Sequence, residues 1–179
     1  MATVGGRRWA VGGLTAGTML LAVLASGCRY GTAGSLPPEL KTIAVTLLRN
    51  QTDRPGLEGE VTAAVTSAIQ SHGRLAVVSA GNNPDLVLTG CLDEYKLKSV
   101  RTDRYGDPVT FAVVIEATVW VRRADGEYLL RKVKIDSQSV NPAKGGVDLT
   151  RGESEALGRA RAVNELGLNI ARRIIDQGW

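Results

Sequence analysis

The strongest constraint on this fold lies between Val109 and Arg123. Val109, Phe111, Val113, Ile115, Ala117, Val119 and Val121 recur at every second position, with Thr110, Glu116, Thr118 and Arg122 between them. Successive side chains of an extended backbone point to opposite sides, so this run is a strand with one apolar and one polar face. Such a strand has to be paired and covered. Ala124-Asp125-Gly126 supplies a hairpin turn, after which Glu127 to Ser139 runs back with Leu129, Val133 and Ile135 toward the core. Upstream, Asp85 to Val100 alternates through Leu86, Leu88 and Leu92. Three such runs in succession predict an antiparallel meander.

The period changes elsewhere. From about Leu57 to Ser71, the residues Leu57, Val61, Val65, Ala68 and Ile69 fall on one side at helical spacing, and Gly73 stands where a C-terminal cap belongs. A second helix is predicted from about Glu153 to Gln177, with Ala156, Ala160, Val163, Gly167, Ile170 and Ile174 as its stripe. Glu153 and Glu155 at its start and Arg172 and Arg173 near its end suit the helix dipole. Thr42 to Arg49 reads as a first strand with Ile43, Val45 and Leu47 on one face; Asn50 to Gly56 is a turn, and Leu75 to Val78 a short extended piece. The predicted fold class is α+β: two helices packed on one face of a mixed, mostly antiparallel four-stranded sheet, a two-layer sandwich.

The chain begins with an address. Arg7 and Arg8 precede an uncharged run from Trp9 to Ala25, which ends in Leu24-Ala25-Ser26-Gly27-Cys28. This is the layout of a secretory signal. The ending resembles the lipobox of bacterial lipoprotein precursors, with Ala25 where that pattern prefers Leu, and it makes Cys28 the expected lipid-attachment residue. A spanning helix needs roughly 20 apolar residues; this run is shorter and is interrupted by Gly12, Gly13 and Gly17. Residues 1–27 are therefore read as a signal peptide, 28–40 as lipidated N-terminus and tether, and 41–179 as one domain. Arg29 after the cysteine, where lipoproteins retained in the inner membrane usually carry Asp, points to the outer membrane, on its periplasmic face.

Cleavage before Cys28 leaves about 150 residues, enough for a single core. The leader holds two of the 22 basic residues and none of the 18 acidic ones, so the mature chain keeps a slight positive excess, which is no argument for nucleic acid. With Cys28 acylated, Cys91 has no partner for an intrachain disulfide.

A search for chemistry finds little. His72, the only histidine, ends the first helix, where interaction with the helix dipole is the ordinary role. No metal-ligand spacing, phosphate loop or nucleophile elbow is present, so neither a metal nor another cofactor is expected and the chain is read as no enzyme. Asp93 and Glu94, adjacent on a strand, are expected on opposite faces. Two features remain. Lys96, Lys98, Arg101 and Arg104 cluster at a strand end; they form either a solvated edge or an anion site for phosphorylated lipid. Trp120 falls on the face opposite the core residues, where it either covers the sheet or marks a protein interface.

Several segments in order resemble the lipopolysaccharide-assembly lipoprotein family LptE. They are Cys28-Arg29-Tyr30, Leu36-Pro37-Pro38 leading to Lys41-Thr42-Ile43-Ala44-Val45, Asn50-Gln51-Thr52, Pro55-Gly56-Leu57-Glu58, Gly73-Arg74-Leu75 and Asp85-Leu86-Val87-Leu88-Thr89-Gly90. Arg29 replaces the usual Gly after the cysteine, and the C-terminal half matches in pattern only. The resemblance implies a plug that partners the outer-membrane β-barrel LptD in delivering lipopolysaccharide to the surface. It also implies basic residues at one sheet end for lipopolysaccharide contact, for which Lys98, Arg101 and Arg104 are the candidates here. Ile43 through Val78 also resembles the strand-helix-strand opening of secretion and assembly lipoproteins related to CsgG and the N-terminal domain of TolB, which implies an envelope scaffold or pore. A pore would need apolar hairpin faces turned to lipid, whereas the Val109 to Ser139 hairpin needs its one apolar face for the core.

Overall fold

The computed structural model describes residues 36–102, 104–106, 108–137, 146–148 and 155–176. In chain order the elements are β1 (Thr42–Val45), β2 (Arg49–Asn50), α1 (Leu57–His72), β3 (Ala76–Val77), β4 (Leu86–Thr102), β5 (Pro108–Arg123), β6 (Tyr128–Asp136), β7 (Gly146–Asp148) and α2 (Glu155–Ile175). A single 3-10 turn, Ala80–Asn82, lies between β3 and β4.

The sheet runs β3-β1-β4-β5-β6, with β2 continuing along the β4 edge and β7 pairing with β5. It is mixed, as expected, but wider than four strands. Ala76–Val77 pairs parallel to β1, and Gly146–Asp148 pairs with β5 at Thr110 to Ala112. β1 lies parallel to β4, as the helical crossover through α1 requires, while β4, β5 and β6 form the antiparallel meander.

Both helices lie against one face. α1 packs over β1, β2 and β3, and α2 over β5 and β6. Leu86, Leu88 and Leu92 of β4 and Ile115, Ala117, Val119 and Val121 of β5 are fully buried there, together with Leu57, Val61, Val65, Ile69, Leu166, Ile170 and Ile174 from the helices. Each large aliphatic side chain so buried stabilises the fold by about 1.5–3 kcal/mol. The helices touch closely because Gly167 faces α1: a Cβ there would lie 2.8 Å from the Ala64 carbonyl carbon. Arg159 bridges the pair, its guanidinium donating twice to Glu60 at 2.8 and 3.0 Å.

Three expectations about the apolar pattern need correction. The first strand stops at Val45: Leu47 is 66% exposed and Leu48 is buried. Val45 pairs with Leu88 and Arg49 with Cys91, so the chain from β1 to β2 carries one residue more than β4 between these points. That extra residue reverses the alternation. Leu48 then packs over Gly90, where a Cβ would come within 2.6 Å of its methyl group. On α2, Ala156 and Ala160 are exposed, and Ala162, Leu166, Ala171 and Ile175 take the buried positions. Alanine suits either face, so the larger residues set the rotation of the helix. Finally, two residues of the stretch read as tether, Leu36 and Leu40, are buried in the core, and the Arg74 guanidinium donates to the Leu36 carbonyl.

Asp85 fastens this end of the sheet. Its carboxylate accepts from the Lys41 N–H (2.9 Å), the Thr42 N–H (2.9 Å) and the Thr42 hydroxyl (2.8 Å). The Lys41 N–H is the first cause, and the Thr42 groups the next, of a carboxyl pKa held below its ordinary range.

Candidate functional site

The β4–β5 hairpin outruns its helical cover. β4 has 17 residues, which at ~3.3 Å per residue span roughly 55 Å. α2 has 21, which at ~1.5 Å each span roughly 32 Å. The far end of the hairpin therefore leaves the core layer, and Leu97, paired with Val113 on the core side, is 49% exposed. This free end carries the predicted cations. Lys98 is exposed and pairs with Ala112, Arg101 pairs with Thr110, and Arg104 lies in the turn with its guanidinium 4.7 Å from the Tyr105 ring centre. Among the described residues Lys98 and Arg104 make no ion pair.

Lys96 does not join them. Its ammonium donates to Glu94 and to Glu116, both at 2.9 Å, and these two carboxylates push its pKa further up. The pairing depends on a β-bulge between Leu92 and Glu94, where β4 gains a residue against β5. Because of it Asp93 and Glu94 point to the same, helix-free face, and the expectation of opposite faces fails. Asp93 accepts from the Thr118 hydroxyl (2.5 Å) and from the Cys91 thiol (3.1 Å), and burial, then Asp93, pushes that thiol's pKa up. Beyond the bulge Tyr95 returns to the core side. Its hydroxyl donates to Glu155 at 2.9 Å under the Arg54 guanidinium, and burial, followed by Glu155, raises its pKa to about 12.

Trp120 lies on the helix-free face, half-buried and paired with Thr89. Its surroundings are basic. Arg49 stands beside Cys91, Lys134 beside Thr118, and Arg122 beside Tyr128, whose ring lies 5.6 Å from the Arg131 guanidinium. Alternation along β5 alone places Arg122 with Trp120; the other three cations come from β2 and β6, so only strand register assembles them. Val114 and Thr118 are buried on this face as well, which is therefore less polar than the alternation predicts.

His72 pairs with Asp176 at 3.3 Å, joining the C-terminal ends of the two helices. Among the described residues no group of three His, Cys, Asp or Glu is placed to hold a metal. Cys28 lies outside the described residues, as does the Arg101 side chain.

The model of the LptE family, lipopolysaccharide-assembly, matches residues 40–177. No curated protein sequence matches the chain. Among solved structures, the PelC dodecamer from Paraburkholderia phytofirmans is similar at 16% identity, over 80% of this chain and 94% of that one, with a TM-score of 0.48. The solution structure of the uncharacterized lipoprotein B from Nitrosomonas europaea is similar at 12% identity, over 81% and 87%, with a TM-score of 0.46. A minor lipoprotein from Acinetobacter baumannii is similar at 11% identity, over 75% and 92%, with a TM-score of 0.40. With its model spanning nearly the whole folded region, the chain belongs to the LptE family of lipopolysaccharide-assembly proteins.

Proposed function

We propose that the protein is an outer-membrane lipoprotein, acylated at Cys28 on the periplasmic side, that partners an LptD-type β-barrel and contacts lipopolysaccharide through Lys98, Arg101 and Arg104. The family match over residues 40–177 carries this reading. The family is one of assembly lipoproteins rather than enzymes, and the role asked of this domain is shape and charge. The free hairpin end supports it: Lys98 and Arg104 are exposed and have no ion-pair partner among the described residues, as charges meant for a phosphorylated glycolipid need to be. Trp120 is assigned to the barrel interface, because Trp in a half-buried surface position is a common interface anchor.

The test is a crosslinked pull-down of the tagged chain from outer membranes. Recovery of a large β-barrel at one-to-one stoichiometry is expected; a homo-oligomeric ring without a barrel contradicts the reading. Acyl labelling should vanish in Cys28→Ala, and labelling that survives refutes the anchor. For the hairpin end, Lys98→Glu with Arg104→Glu should weaken retention of purified lipopolysaccharide about thirtyfold, since each of the two lost charge-assisted contacts costs about 1 kcal/mol or more. Unchanged retention removes lipid contact from this end.

A further inference from the structure

From the helix-free face we infer a second docking surface, centred on Trp120 and Tyr128, whose occupant is an acidic protein wall. This rests on the barrel-partner reading and gives that partner its chemistry. Arg122 and Arg131 stand beside Tyr128, Lys134 beside Thr118 and Arg49 beside Cys91 on the same face, and all four are exposed. Among the described residues none of them makes an ion pair. Of the carboxylates on this face, Asp93 is engaged by the Thr118 hydroxyl and the Cys91 thiol, and Glu94 and Glu116 by Lys96; Asp136 lies beside Glu116, at the end away from Tyr128. Three carboxylates of the face are thus engaged within the fold while the four cations are exposed. The result is an excess of exposed positive charge on this face.

Trp, Tyr and Arg are the residue types that dominate binding energy at protein interfaces. An excess of charge of one sign on a face selects a partner of the other sign and sets its register. Tyr128 is 48% exposed, with the Arg131 guanidinium over its ring, so aromatic area and charge are offered together. The composition fits a polar, acid-bearing protein surface such as the inside of a barrel, which is itself polar.

The experiment places a photoreactive p-benzoylphenylalanine at Thr89, exposed and paired with Trp120, and separately at Ala63, on the exposed side of α1. Both full-length variants are crosslinked in intact outer membranes. Capture of the barrel from Thr89, through a peptide bearing Asp or Glu, is the expected result. The same crosslink should fall at least fivefold in 0.5 M salt applied before irradiation, because screening removes surface attraction. Capture of lipid, or of a second copy of this chain, from Thr89 overturns the proposal, as does a salt-independent crosslink to an uncharged peptide. Barrel capture from Ala63 without capture from Thr89 overturns this surface while leaving the barrel partnership standing. Capture from neither position defeats both.

Discussion

The two faces of β5 share one backbone and differ in what their side chains meet. Toward the helices Ile115, Ala117, Val119 and Val121 are fully buried in a continuous apolar layer. On the other side the same strand presents Glu116 tied to Lys96, Thr118 tied to Asp93, and then Trp120 and Arg122 among unpaired cations. Stability is concentrated on the first face, where apolar area leaves water. The inferred docking surface lies on the second, where exposed charge costs the fold little. On the reading proposed above, this small α+β domain separates folding from binding by sheet face, and variants should sort accordingly.

The largest effect is expected from emptying the covered face. Ile115→Ala removes a fully buried side chain and should lower unfolding free energy by about 2–5 kcal/mol, read as a fall in denaturant midpoint at constant slope. A loss under 1 kcal/mol would place Ile115 outside the core. Overfilling the same layer comes next. Gly167→Val drives a side chain into the backbone of Ala64, which cannot rotate away, so about 3 kcal/mol should be lost. An unchanged melting temperature would contradict the close helix approach.

A smaller effect belongs to the clasp at the sheet end. Asp85→Ala leaves the N–H groups of Lys41 and Thr42 without their acceptor and should cost about 1–2 kcal/mol near neutrality. The folded carboxyl pKa is depressed, so this contribution is full above the ordinary carboxylate pKa and is lost as pH falls through the folded value. The gap between wild type and variant should therefore close in acid. A gap constant down to about pH 2 would assign the loss to packing instead. The smallest effect is expected on the open face: Arg122→Glu should change thermal stability by no more than about 0.5 kcal/mol, and a larger loss would show this arginine to be structural.

Much of the covered face was readable because alternation and helical spacing are local. The run from Val113 to Val121 needed no partner to declare its buried side, and Gly73 marks the end of α1, its N–H donating to the Gln70 carbonyl. What could not be read came from inserted residues and distant pairing. One extra residue before Arg49 turns Leu47 outward and Leu48 inward, and the bulge at Asp93 turns two acids to one face. Neither leaves a compositional mark. β3 and β7 are strands only because a neighbouring edge accepts them. At the candidate sites, alternation places Trp120 and the basic cluster holds Lys98, but Lys96 is taken out of that cluster by Glu94 and Glu116, which only the bulge brings together. Nothing in the sequence marks Arg49, Arg131 and Lys134, which register brings to the same face as Trp120 and Tyr128.

The central claim, that one face folds the chain and the other serves its partner, is tested most directly by Arg122→Glu, Arg131→Glu and Lys134→Glu combined, measured for barrel recovery from outer membranes at equal expression and melting temperature. The account predicts recovery reduced at least tenfold with melting unchanged within about 3 °C. Full recovery by this triple variant, or a melting loss as large as that of Ile115→Ala, would contradict it.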